Sequence, residues 1–157
     1  MPNTKWSELN NLQLGRYGEY FTKMEFASYG LDVYTSEVDD HGIDFVVKNK
    51  SGKFFEIQVK AIRLEKTVYV FMRKDKFDIS QDNLMLMLLL FEEGKLPKSY
   101  LIPSKEWAVQ NDLFRDREYK GLKSKPEYGL NISKKNMVLL EQYSFENIIF
   151  SIKDLKC

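Results

Sequence analysis

Ile43-Asp44-Phe45-Val46-Val47-Lys48, then Asn49-Lys50-Ser51-Gly52-Lys53, then Phe54-Phe55-Glu56-Ile57-Gln58-Val59-Lys60-Ala61-Ile62 reads as a β-hairpin. A short loop with Gly52 in the left-handed position sets Asn49 opposite Lys53. That register puts Asp44 opposite Gln58 and separates two faces. One face carries Ile43, Phe45 and Val47 with Phe55, Ile57 and Val59. The other carries Asp44, Val46 and Lys48 with Phe54, Glu56, Gln58 and Lys60. A tighter Ser-Gly loop would shift the register by one and mix the faces.

Outward from the hairpin, residues 8–29 read as a helix. Its apolar stripe is Leu9, Leu12, Tyr17, Tyr20, Phe21, Met24 and Ala27, and Gly30 ends it. Glu19 lies on the flank of that stripe, and Gly15 and Gly18 bare the helix surface beside it. Leu31–Thr35 is a short strand, Asp39–Gly42 a turn and Thr67–Phe71 a further strand. Asp82–Phe91 is a buried strand, or a short helix followed by one. Lys98–Ile102 is a strand ending at Pro103, and Ser104 reads as the cap of a short helix over Lys105–Gln110. Residues 111–130 read as polar loop and Met137–Leu140 as a late strand. Ser144 reads as the cap of a last helix from Phe145 to about Ile152. The expected fold is a mixed α/β sheet flanked by helices.

The chain has 157 residues, 43% apolar and 30% charged, which fits one domain with a real core and excludes global disorder. A core over residues 8–110 with a C-terminal extension over 111–157 is the expected organisation. The longest apolar run, Leu84–Phe91, is far short of the ~20 residues a membrane helix needs. The N-terminus lacks the apolar segment of a signal peptide. The single cysteine, Cys157, suits a reducing cytoplasm, and one histidine excludes a His-built catalytic zinc site. With 24 basic and 23 acidic residues, the net charge of +1 argues against a generic polycation.

The charges are nevertheless segregated. Glu37, Asp39, Asp40 and Asp44 precede a basic tract of Lys60, Arg63, Lys66, Arg73, Lys74 and Lys76. Residues 115–125 add Arg115, Arg117, Lys120, Lys123 and Lys125. Acids beside basic tracks suit a metal meeting a phosphate backbone. An ordinary solvated surface is the alternative for the second tract. Tyr69, Phe71, Phe77, Trp107 and Tyr119 are candidates to stack on bases, or core residues.

Asp44 and Gln58, if directly opposed, have Cβ atoms roughly 4.5–5.5 Å apart. Two oxygen-bearing side chains at that spacing can share one hard cation. Lys60, two residues on, can orient a water or stabilise charge on a phosphate, and Glu19 can complete the site. Any one of these charges alone is more often a solvated surface residue. His41 reads as a turn histidine, with a base or substrate contact as the alternative.

Together, Gly42-Ile-Asp44-Phe-Val-Val, a hairpin, and Phe55-Glu-Ile-Gln58-Val-Lys60 resemble the PD-(D/E)xK nuclease superfamily, home of restriction endonucleases and archaeal Holliday-junction resolvases. Leu14-Gly-Arg-Tyr-Gly18-Glu19 resembles its first core helix, and the likeness spans about residues 14–103. The resemblance implies an αβββαβ core and a Mg²⁺- or Mn²⁺-dependent endonuclease acting on DNA. It implies Asp44 as main metal ligand, Gln58 as second, Lys60 as catalytic lysine and Glu19 as auxiliary ligand or base. Arg63, Lys66, Arg73, Lys74 and Lys76 are the expected nucleic-acid contacts. A homodimer able to cut both strands is a further expectation, by analogy. Two positions depart from the family pattern. Ile43 replaces the motif proline, and Gln58 stands where most members carry Asp or Glu, although members with QxK are familiar. A catalytically inactive module of the same fold, holding nucleic acid or a partner protein, is the other reading.

Overall fold

In a computed structural model, described over residues 1–37, 42–65 and 68–156, the hairpin takes the expected register. The strands are β1 (Asp32–Tyr34), β2 (Phe45–Lys48), β3 (Phe54–Arg63) and β4 (Tyr69–Arg73), then β5 (Leu84–Phe91), β6 (Lys98–Pro103), β7 (Phe114–Arg117) and β8 (Glu127–Asn131). Phe45 faces Ile57 and Lys48 faces Phe54. Gly52 turns the chain at φ +87°, and Asn49 N donates to Lys53 O at 2.9 Å. The Asn49 side chain then reaches the other end of the chain, donating to Ile152 O at 2.8 Å and Leu155 O at 2.7 Å.

The first sheet has the order β1-β2-β3-β5-β6, with β3 and β5 parallel and the other pairs antiparallel. The run that sequence left open is a strand from Leu84, buried along its whole length. Both of its faces are covered, so no polar alternation marks it. Met85, Met87 and Leu89 enter one core, and Leu86, Leu88 and Leu90 enter the other. Each such side chain contributes roughly 1.5–3 kcal/mol by leaving water.

Helix α1 (Asn11–Ser28) starts at a reciprocal cap. Asn10 Oδ1 accepts from Gln13 N at 2.8 Å, and Gln13 Oε1 accepts from Asn10 N at 2.9 Å. Its orientation corrects the expected stripe. The buried line is Leu14, Gly18, Thr22 and Phe26, with Tyr17 and Phe21 beside it, while Leu12, Tyr20 and Met24 face solvent. The reason is close packing on small residues. A Cβ at Gly18 would lie 3.1 Å from both Ala61 Cβ and Leu89 Cδ1. Thr22 removes its own polarity by donating Oγ1 to Gly18 O at 2.7 Å. A stripe chosen by hydropathy cannot find a contact line of Gly and Thr. Gly15, by contrast, faces open space.

The second sheet, β4-β8-β7, covers the opposite face of the first. Here three expectations fail. Residues 111–130 hold β7 and most of β8 rather than loop, Met137–Glu141 forms helix α2 rather than a strand, and Ser104–Ala108 is a 3₁₀ turn that starts directly after Pro103 with no side-chain cap. The Ser104 hydroxyl donates to Gln81 O at 3.1 Å instead of capping. β7 and β8 were hidden because Phe114 and Leu130 point inward amid charged and small neighbours. Trp107 closes this core, its Nε1 donating to Gly129 O at 2.8 Å. The β3-to-β5 crossover runs through β4 and a 3₁₀ turn over Lys74–Lys76, where the αβββαβ pattern has a helix. Ile43 also leaves the expected face: half-buried, it packs against the second core, whereas Phe45 belongs to the first. Helix α3 (Phe145–Ile152) takes the expected span, although the Ser144 side chain at its N-terminus makes no capping hydrogen bond, and it joins α1 on the first core through Phe145 and Ile149. Among the described residues, no helix is long and apolar enough to cross a membrane.

Candidate active site

The site forms where the hairpin ladder stops. Backbone pairing of β2 and β3 ends at Phe45 and Ile57, one position short of Asp44 and Gln58. Asp44 N still donates to Ile57 O at 2.9 Å, but beyond it the strands part. The Asp44 carboxylate fills the gap: Oδ2 accepts from Val59 N at 2.6 Å. A side chain takes the place of a backbone acceptor, which orients the carboxylate at the fork.

Strand alternation points Val59 and Ala61 at α1, and Gln58 and Lys60 away from it. Gln58 is buried, 8% exposed, and its Oε1 has no hydrogen-bond partner in the structure. A buried amide oxygen left bare costs about 1–3 kcal/mol. Lys60 is half-buried, and burial lowers its pKa below the ordinary lysine value, with Asp44 pulling the other way. Gln58 and Lys60 line a cavity of about 300 Å³ with Gly42, Phe71, Met72, Arg73 and Lys76. Gly42 has φ +78°, and a Cβ there would lie 3.2 Å from Lys76 Cβ and Lys76 O. Only glycine permits that approach.

The structure thus brings Asp44, Gln58 and Lys60 together. Glu19 rides on α1, beside the Gly18 that touches Val59 and Ala61, and pairs with Arg16 at 3.2 Å. Glu56 accepts from Gln81 Nε2 and lines a neighbouring cavity of about 440 Å³ with Ile43, Asp75, Lys76 and Asp78. Among the described residues, no three His, Cys, Asp or Glu side chains form a group able to hold a metal. Glu19 and Glu56 therefore do not join Asp44 in an all-carboxylate cluster.

The basic tract divides. Arg63 turns inward, donating to Asn11 Oδ1 at 2.9 Å, Trp6 O at 3.1 Å and Leu9 O. It anchors the N-terminal segment. Arg73 pairs with Asp75 at 2.5 Å. Lys74 pairs with Asp116 at 2.5 Å and with Glu118, and lies over the Tyr128 ring at 4.7 Å. Lys76 lines both cavities. Lys66, Asp39, Asp40 and His41 lie outside the described residues. Of the candidate stacking residues, Phe77 and Trp107 are core, whereas Phe71 is 49% exposed.

The fold is a mixed α/β sheet flanked by helices on one face and a second sheet on the other. No family model and no curated protein matches the chain. Among solved structures it is similar to Hjc, a Holliday junction resolvase from the archaeal hyperthermophile Archaeoglobus fulgidus. The identity is 13%, covering 74% of this chain and 83% of that one, at a TM-score of 0.46. It is also similar to a bacterial homing endonuclease, with 14% identity, covering 85% of this chain and 94% of that one, at a TM-score of 0.49.

Proposed function

We propose that this chain is a divalent-metal-dependent nuclease acting on DNA phosphodiester bonds, with its site at Asp44, Gln58 and Lys60. The observation that carries the reading is the bare Gln58 Oε1, buried on the same strand face as Lys60 and beside the Asp44 fork. The donor set fits a hard cation, because Mg²⁺ usually takes one or two carboxylates and fills its shell with water and phosphate oxygens. Asp44 would supply the carboxylate and Gln58 the amide oxygen, with Mn²⁺ as an equivalent occupant. When bound, the metal polarises the phosphate and lowers the pKa of a coordinated water.

The chain's own residues do the rest. Val59 N–H holds the Asp44 carboxylate in one orientation. Lys60, its charged form disfavoured by burial, gains from an anionic phosphate brought beside it. Its ammonium can then orient the attacking water or stabilise the charge that develops on the phosphate. Lys76 and Arg73, the latter paired with Asp75, line the same cavity. Glu19 is the auxiliary residue of this proposal and acts from α1.

Metal-dependent cleavage lost in both Asp44→Ala and Lys60→Ala supports the assignment, and undiminished cleavage in those variants sinks it. The second reading is an inactive module of the same fold that binds nucleic acid or a partner protein. Gln58 favours it, since a neutral amide holds Mg²⁺ more weakly than a carboxylate. Calorimetric titration separates the two: DNA binding without Mg²⁺ or Mn²⁺ binding selects the module.

A further inference from the structure

The outer face of the second sheet carries a group of side chains that the core does not use. Along β4, Val70 and Met72 point inward and Tyr69, Phe71 and Arg73 point outward. Across the sheet, Phe71 aligns with Gly129 and Arg115, and Arg73 aligns with Glu127 and Arg117. The outward row is therefore aromatic and arginine-rich, with a bare glycine in its middle.

Gly129 has a specific use. A Cβ there would fall 2.0 Å from the Tyr69 hydroxyl, so the Tyr69 ring lies flat across β8. Its hydroxyl donates to Glu127 Oε2 at 2.7 Å, which sequesters the acid of this face beneath the ring. Burial, then the hydrogen bond and charge of Glu127, raise the Tyr69 pKa well above the ordinary tyrosine value, so the phenol stays a donor. The Arg117 guanidinium lies over the same ring, its Cζ 4.2 Å from the centroid. Asp75 is held by Arg73 at one end of the face. What remains exposed is the phenyl ring at Phe71, the Arg117 guanidinium, which also donates to the Tyr119 hydroxyl at 3.4 Å, and Arg115, which donates to Asn111 O at 3.3 Å. Phe71 and Arg73, with the inward Met72 between them, also line the cavity that holds Gln58 and Lys60, so the β4 edge borders both this face and the candidate site.

We propose that the outer face of the second sheet binds a single-stranded nucleic acid, with one base stacked on Phe71, the next on the Arg117 plane and the backbone held by Arg115. Resting on the nuclease reading, this names its substrate as one with an unpaired strand leading into the Lys60 cavity. The chemistry favours a single strand. An exposed ring accepts a base only when that base is free of its partner, and aromatic rings with arginines on an open sheet suit unpaired bases. A duplex would present its phosphates to the arginines and leave Phe71 without a role.

The test is fluorescence anisotropy of a labelled single-stranded oligo-dT and of a blunt hairpin duplex, both in EDTA so that no cleavage enters. The wild-type chain is expected to bind the single strand more tightly than the duplex. Phe71→Ala is expected to weaken single-strand binding by about tenfold, in keeping with one lost base stack. Because Phe71 is exposed, the variant retains its core. Phe71→Trp is expected to restore affinity, with its indole emission quenched on binding. Arg115→Ala with Arg117→Ala is expected to flatten the salt dependence. Equal affinity of wild type and Phe71→Ala, equal binding of duplex and single strand, or an indole that does not respond would each overturn the proposal. Failure of the nuclease reading has a different signature: single-strand binding intact, with no metal-dependent cleavage by the wild-type chain.

Discussion

Asp44 Oδ2 lies 2.6 Å from Val59 N, the length of a strong, charge-assisted hydrogen bond between a carboxylate and a backbone amide. Asp44 thus has two functions that substitution can separate. Asp44→Ala removes the acceptor and leaves the Val59 amide bare, at a cost of about 1–3 kcal/mol. Asp44→Asn keeps an acceptor oxygen and removes the charge. Urea unfolding is expected to show the loss for Ala and little change for Asn, while cleavage disappears in both. Equal stability of Asp44→Ala and wild type would contradict the structural role.

Lys60 predicts a pH dependence of stability. Burial lowers its pKa in the folded chain. Between that lowered value and the unfolded value near 10.4, the unfolded chain binds one proton more than the folded chain. Stability contributed by this group therefore rises with pH across that window. Below it, the folded chain carries a buried charge at a cost. Lys60→Met is expected to be more stable than wild type at neutral pH, and the gap is expected to close as pH rises toward 10. Urea midpoints of both proteins over that range check this, and a gap that stays constant with pH contradicts it.

The two glycines of α1 predict opposite signs. Gly15 faces open space, so Gly15→Ala is expected to raise stability by about 0.5–1 kcal/mol through helix propensity. Gly18 touches Ala61 and Leu89, so Gly18→Leu is expected to cost about 1–3 kcal/mol or more by overpacking. Thermal midpoints of the two variants should move in opposite directions.

Arg63 is expected to act on folding rather than on DNA. Its guanidinium donates to Trp6 O, Leu9 O and Asn11 Oδ1. Arg63→Ala is expected to lose about 1.5–3 kcal/mol, the range for hydrogen bonds to charged groups. The salt slope of DNA binding is expected to stay at the wild-type value. A slope reduced by about one phosphate contact would restore Arg63 to the binding surface.

Sequence alone determined the hairpin, its register and the face that Gln58 and Lys60 share. Those follow from a period of two and a turn glycine, both local properties of the chain. It also determined that Leu84–Phe91 is buried, though not whether it is strand throughout, since a run apolar on both faces has no period to read. The rest depended on contacts between segments far apart in the chain. Which side of α1 packs depended on how closely its Gly18 could approach Ala61. Whether residues 111–130 were loop or strand depended on β8 finding β4, more than fifty residues earlier in the chain. Composition does not distinguish Arg63 from Arg73, because the carbonyls that hold Arg63 belong to Trp6 and Leu9, more than fifty residues earlier in the chain. The Asp44 carboxylate became a positioned group because the strands part there and leave Val59 N–H to be satisfied. Local periodicity is written in neighbouring residues, whereas close approach and unmet hydrogen bonds exist only once distant segments meet.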